Sequence, residues 1–274
     1  MRVAILSPHR DDAAFSCGLI MLALLHAGAD LTVVNVFTRS DYAVDLQTVD
    51  PALPQVDAVS RARRLEDEHF VEDITASVGR DSGSVQLHDF GWLDAPLRLN
   101  IKTERVLEAP LTDAEVEQQA AGLAAQIACL PLFDAVFAPI ALGDHIDHRI
   151  VRQAAGRCTA ADRLCFYEDL PYAARLTSAE RKHQAFRAVP SNPTQHFLPH
   201  ALHLPNGPHL KKRFAMHYPS QIAEGVADEM ASYAEQWSSG TGVERWWATR
   251  SLGAMVAGLL QSASVPCSLV EEQQ

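Results

Sequence analysis

Few of the usual markers of a secreted, membrane-bound or nucleic-acid-binding protein occur in this chain. Basic residues are in the minority, 23 Lys and Arg against 34 Asp and Glu, for a formal net charge of −11. That balance argues against a nucleic-acid-binding face, which would be basic. It leaves room for a small anionic ligand held by a few local arginines. Long hydrophobic runs are absent, and none approaches the roughly 18–20 residues that span a bilayer, so no membrane partner is expected. Met1-Arg2 leads straight into a short apolar stretch, without the longer apolar region or small-residue cleavage site of a signal peptide. Cysteine is scarce and unpatterned: Cys17, Cys129, Cys158, Cys165 and Cys267 are widely spaced, with no Cys-x-x-Cys pair. They read as reduced thiols, and the expected compartment is the cytoplasm.

What is present is an ordinary globular composition, 47% hydrophobic and 21% charged, sufficient to bury a core. Strand-like and helix-like segments alternate. Val3-Ala4-Ile5-Leu6 and the β-branched run Leu31 to Phe37 read as strands covered on both faces. Between them Ala13 to Leu25 reads as a buried helix ended by Gly28. Ser60 to Glu72 predicts a second helix, and Val85 to Phe90 a third strand. Arg39 to Val59, with Pro51 and Pro54, reads as a surface excursion near the site. Thr112-Asp113-Ala114-Glu115 is a capping box ahead of a helix with a Val116, Ala120, Leu123, Ile127 stripe. Strands at Ala135 to Ala138 and Leu164 to Tyr167 flank a helix from about Ile150 to Arg157.

This series predicts an α/β, Rossmann-like fold, a largely parallel sheet with helices on both faces. No repeat, low-complexity tract or boundary divides the chain. It reads as a single domain over 1–274, an α/β core over 1–170 and a loop-rich, helical extension over 171–274. Within that extension Pro190 to Pro208 reads as a proline-rich loop over the pocket, holding His196, His200, His203 and His209. Ile222, Val226, Met230 and Tyr233 predict one helix and Val243 to Leu260 another, with Trp246 and Trp247 as core or interface anchors.

Two His/Asp clusters carry the chemistry. Pro8-His9-Arg10-Asp11-Asp12 follows the first strand, and Gly143-Asp144-His145-Ile146-Asp147-His148 follows Asp134 to Pro139. Both fall at the carboxyl edge of the expected sheet, where open α/β folds place their sites. Two imidazoles and a carboxylate gathered there suffice for a catalytic zinc with a position left for water. A His/His/Asp set also accepts iron, cobalt or nickel. His9 and Asp12 can reach one ion while Asp11 points elsewhere, the placement of a general base. The second cluster offers another imidazole ligand and a His–Asp pair, whose imidazole would be held charged toward a developing oxyanion. The bland alternatives are a helix cap for the paired aspartates and solvated loop polarity for the second cluster.

Together, Ser7-Pro8-His9-Arg10-Asp11-Asp12 and Gly143 to His148 resemble the paired motifs of the PIG-L/LmbE-like zinc-dependent N-deacetylases. Arg63-Arg64-Leu65-Glu66-Asp67, Gly91 to Arg98, Tyr167 to Ala173 and Tyr218-Pro219-Ser220-Gln221 resemble supporting segments of that family. The resemblance implies a zinc-dependent hydrolase that removes an N-acyl group, usually acetyl, from an amino sugar or glycoconjugate. It implies His9, Asp12 and His148 as metal ligands, Asp11 as general base, His145 as the oxyanion-stabilising histidine and Asp147 as its orienting partner. Arg63 and Asp94 fall where members of the family contact substrate. Arg63 could instead pair with Glu66 along its helix. The partner implied is a small N-acylated molecule, and a homo-oligomer is left open. The alternatives are a deacylase of an N-acylated peptide or secondary metabolite, and a catalytically silent metal-containing binding protein of the same fold. Arg10 and Ala13 stand where many members have Pro and Glu. Arg10 then either attracts an anionic substrate group or pairs with a surface carboxylate.

Overall fold

The first apolar run, Arg2–Ser7, forms a strand (β1) buried on both faces, as Val, Ala, Ile and Leu without polar alternation require. The computed structural model describes residues 1–45, 47, 49–79, 82–108, 111–188, 196–236, 241–262 and, by backbone alone, 267–269. After β1 come α1 (Asp12–His26), β2 (Asp30–Asn35), α2 (Gln55–Ala76), β3 (Val85–Asp89), the short α3 (Ala95–Leu99), α4 (Asp113–Ile127) and β4 (Ala135–Pro139). Then follow α5 (Ile146–Cys158), β5 (Leu164–Tyr167), α6 (Ser178–Ala188), β6 (Phe197–Pro205), α7 (Gly207–Ala215), α8 (Val226–Glu235), β7 (Thr241–Thr249), α9 (Arg250–Ser262) and β8 (Cys267–Leu269).

These strands make one sheet in the order β3-β2-β1-β4-β5-β7-β6-β8. The first five are parallel, and β7, β6 and β8 add antiparallel pairings. Strand order reverses between β1 and β4, which pair from Val3↔Ala135 to Ile5↔Phe137. That reversal opens a crevice beyond their carboxyl ends, where ligands of open α/β sheets bind. The α/β, Rossmann-like expectation holds. Helix α1 is buried almost all round, as its composition predicts, and Gly28 follows it at φ +79°. The capping box of α4 forms: Thr112 Oγ1 accepts from Glu115 N, and Glu115 accepts from Thr112 N at 2.8 Å.

Two expectations for the C-terminal third are corrected. Residues 190–195 lie outside the described residues, but Phe197–Pro205 is a strand and not a loop over the pocket. It pairs along its length with β7, from Phe197↔Thr249 to Pro205↔Thr241. His200 and His203 ride on that strand and His209 on α7, away from the pocket described below. The second correction concerns Val243 to Leu260, where only Arg250–Ser262 is helical and Thr241–Thr249 is a strand. Burial on both faces of β7 removes the alternation that marks a strand in sequence. Trp246 and Trp247 are nonetheless core residues, almost fully buried. Among the described residues no helix is long and apolar enough to cross a membrane.

Helix α7 and strand β7 are tied to α1 by a buried ion pair. Lys211 of α7 bonds Glu244 of β7 and donates to the Phe15 carbonyl of α1 at 2.6 Å. Glu244 in turn accepts from Leu19 N (3.0 Å) and Ile20 N (2.8 Å). Removing one member strands a buried charge, a loss of about 3–5 kcal/mol. Lys211→Met should therefore lower the urea midpoint strongly, and a midpoint equal to wild type would show that the pair holds nothing in place.

Candidate metal centre and pocket

The turn after β1 is tied down by its own residues. Asp12 Oδ2 accepts from His9 N at 2.8 Å, and Ser7 Oγ accepts from Ala13 N at 3.0 Å. The turn after β4 relies on left-handed backbone at Ala141, Gly143 and Asp144. Gly143 is required there twice over: its φ is +82°, and a Cβ would lie 2.8 Å from Tyr172 Cβ. The chain then enters α5 with His145 as N-cap, its Nδ1 accepting from Asp147 N at 3.2 Å.

Both turns converge. His9, Asp12 and His148 present ligand atoms within 4.8 Å of one another, with Asp12 and His148 buried. His148 Nε2 faces Asp12 Oδ2 at 3.3 Å, yet makes no hydrogen bond among the described residues. A fully buried imidazole nitrogen without a hydrogen bond, beside a carboxylate and a second imidazole, fits a divalent cation. His9, His145 and Asp147 also lie within 4.8 Å. In that second group, however, the Asp147 carboxylate is already taken by His9 Nε2 (3.0 Å), Arg98 Nη2 (2.6 Å) and Ala95 N (2.9 Å). The first group is the better cation site.

Electrostatics agree with that choice. Burial opposes charge on Asp12, but the fields of His148 and His9 and the hydrogen bond with His9 outweigh it and hold its pKa well below the carboxylate range. Burial likewise opposes charge on the two histidines, and neighbouring carboxylates overcome it. Asp12 and Asp147 raise His9 to about 9, and Asp12 and Asp169 raise His148 to about 10. A cation would take the place of those protons. Asp11 is different: burial raises its pKa, partly countered by Arg63, whose Nη2 lies 3.0 Å from Asp11 Oδ1. Asp11 therefore stands beside the cluster as a more basic carboxylate than usual.

A cavity of about 330 Å³ opens over these groups. Its lining includes His9, Asp11, Asp12, Arg63, Asp94 and His145, together with the exposed side chains Tyr42, Val44 and Leu107. A family model described as PIG-L, GlcNAc-PI de-N-acetylase, matches residues 4–159, more than half of the chain and both His/Asp turns. The chain belongs to the PIG-L family. Among its relatives is the 2'-N-acetylparomamine deacetylase of Streptomyces fradiae, 33% identical over 181 residues. That match covers 65% of this chain and spans about 60% of the relative's length. A deacetylase solved in complex with teicoplanin, from the teicoplanin biosynthesis pathway, is 21% identical with a TM-score of 0.65, covering 91% of this chain and 98% of its own. The zinc-inhibited form of teicoplanin deacetylase Orf2 is 20% identical with a TM-score of 0.63, each chain covered in full. These two share the fold.

Within this PIG-L protein several placements differ from expectation. The Asp147 carboxylate does not pair with His145; it bonds His9 and Arg98, and only its backbone N–H reaches the His145 ring. Nor do its surroundings favour a charged His145. Its Nδ1 is an acceptor, and burial together with the charges of His9 and His148 pushes its pKa well below the ordinary value. Arg63 pairs with Asp11, while its neighbour Arg64 makes the intrahelical bond, to Glu68 at 3.0 Å. Asp94 is buried in the pocket wall and caps α3, accepting from Leu97 N at 3.3 Å. Arg10 turns away from the cavity and bridges Asp67 (3.0 Å) and Asp89 (2.6 Å), so it pairs with carboxylates, though Asp67 is buried and not on the surface. Two further residues, each inside one of the supporting segments but given no role from the sequence, stand behind the site. Arg98 holds Asp147, and Asp169 lies 2.6 Å from His148 Nδ1.

Proposed function

We propose that this chain is a metal-dependent N-deacetylase that hydrolyses an N-acyl group, acetyl foremost, from an amino sugar or glycoconjugate, working as one domain over 1–274. The observation that carries the reading is the buried His148 Nε2, without a hydrogen bond among the described residues, beside Asp12 and His9, with a proton acceptor, Asp11, next to it. Membership of the PIG-L family and the likeness to a 2'-N-acetylparomamine deacetylase support it.

His9, Asp12 and His148 would hold the ion, and zinc suits two imidazoles and a carboxylate with a place left open. Such an ion supplies Lewis-acid polarisation of the amide carbonyl and a lower pKa for water. The chain's own groups do the rest. Asp11 accepts a proton from the attacking water and passes it to the departing amine nitrogen, so that the C–N bond breaks to carboxylic acid and amine. Arg63 fixes the Asp11 carboxylate toward that task. His145, neutral and with Nδ1 engaged by Asp147 N–H, keeps its proton on Nε2 and donates to the carbonyl oxygen as charge develops there. Asp94 and Arg63 offer partners for sugar hydroxyls. A binding-only protein has no use for an Asp11–Arg63 pair and a neutral His145 on the same wall.

Exposed apolar side chains in the cavity lining favour a second reading of the substrate. Tyr42, Val44 and Leu107 are among the exposed large hydrophobic side chains and line the cavity. A secondary metabolite or acylated peptide with an apolar portion would cover them, where a free amino sugar would not.

Metal analysis and acetate release test both. The protein should bind one equivalent of Zn²⁺ and release acetate from N-acetylated amino sugars, with metal and activity both lost in His148→Ala. Full turnover after exhaustive chelation, or one bound equivalent in His148→Ala, would sink the metal reading. Release only from N-acylated hydrophobic amines would select the second substrate class.

A further inference from the structure

We propose that Asp169 and the Arg98–Asp147 pair are positioning residues for the metal site, each fixing one ligand histidine through the ring nitrogen turned away from the ion. The inference rests on the metal reading above. Asp169 is fully buried directly beyond β5, whose pairing with β4 runs to Pro139↔Tyr167 and so brings it against the chain that leads to His148. Its Oδ1 lies 2.6 Å from His148 Nδ1, and its Oδ2 accepts from Leu142 N at 2.9 Å. With both oxygens engaged, the carboxylate cannot turn, and neither can the ring it holds.

The other histidine is served from across the sheet reversal. Asp147 belongs to the same turn as His148 but bonds Nε2 of His9, in the turn after β1, at 3.0 Å. Arg98 fixes Asp147 from behind at 2.6 Å, Ala95 N donates to it at 2.9 Å, and the guanidinium lies 4.7 Å over the Phe37 ring and donates to Leu93 O at 2.7 Å. A carboxylate on the far nitrogen sets the tautomer, orients the ring and raises ligand basicity. Each histidine here has such a carboxylate, and each carboxylate has its own anchor. The crossed bond from Asp147 to His9 also joins the two turns.

Zinc binding to metal-depleted protein, measured by competition with a chromophoric chelator, tests this without reference to turnover, alongside the visible spectrum of the Co²⁺ form. Asp169→Asn keeps the shape and a hydrogen-bond acceptor but loses the charge. It should bind Zn²⁺ about 10–100-fold more weakly and shift the Co²⁺ bands, with an unchanged Tm for the metal-free protein. Arg98→Met, which touches neither ligand, should weaken binding by a smaller factor. His148→Ala is the control: if it binds Zn²⁺ like wild type, the metal reading itself fails. If His148→Ala loses the ion while Asp169→Asn and Arg98→Met bind as wild type with unshifted spectra, the positioning inference is overturned and the metal site stands. Should Asp169→Asn not fold, Arg98→Met decides alone, and wild-type affinity there overturns the inference.

Discussion

Asp11→Asn should leave the fold and the bound ion in place and lower turnover by about 10²–10⁴-fold, the usual contribution of a general acid–base group. The substitution removes a proton acceptor without removing one of the three clustered ligand groups, His9, Asp12 and His148. Steady-state acetate release with metal content measured on the same sample checks it. Near-normal turnover would mean that Asp11 is no base, and loss of the ion would mean that Asp11 and Asp12 exchange roles. The companion effect is in pH. Asp11 must be ionised to accept a proton, so kcat/KM falls as pH drops through its pKa, which burial has raised. Arg63 opposes that rise. Arg63→Met removes the opposing charge, raises the Asp11 pKa further and should move the acid limb to higher pH. A limb that stays put would separate Arg63 from Asp11 tuning.

His145→Ala should lower kcat by about 10²–10³-fold, the cost of one lost oxyanion donor, with KM little altered. The split follows from where the donor acts: a proton on Nε2 strengthens its bond as negative charge grows on the carbonyl oxygen and contributes little before. Burial and the charges of His9 and His148 push the His145 pKa well below its ordinary value, which favours the neutral ring. The alkaline limb of the pH profile therefore does not belong to it, and Asp147→Asn should leave that limb where it was. An equal loss in kcat and gain in KM for His145→Ala would make His145 a general substrate contact, and an alkaline limb displaced in Asp147→Asn would restore a charged His145.

The parts of this molecule that were legible in its sequence are those fixed by local pattern. Continuous apolar runs gave β1, β2 and β4, the capping box gave the start of α4, and two clusters directly after apolar runs gave the floor of the pocket. Strands β6 and β7 were not legible, because what makes them strands is each other. His200 pairs with Trp246 across the sheet, and nothing within either segment alternates enough to announce it. The pairing partners inside the site escaped for a similar reason. Motif spacing places His145 and Asp147 side by side, but the first turn of α5 directs the backbone of Asp147 at His145 and its carboxylate at His9. Arg98 and Asp169 acquire meaning only once α3 and β5 are docked against the β4–α5 turn.

The place of β7 between β5 and β6 has a consequence for synthesis. A ribosome delivers β5 long before β7, so the growing polypeptide carries a parallel sheet with one uncovered flank while α6, β6, α7 and α8 emerge. Strand β6 cannot shield that flank, since it reaches the sheet only through β7. Unpaired N–H and C=O groups on an apolar strand invite association with other chains. Premature termination between residues 168 and 240, after β5 and before β7, should therefore give insoluble product even though every residue of the His/Asp clusters has been made. Holdase chaperones should be found on nascent chains over this interval and released once the Trp246-Trp247 strand slots in.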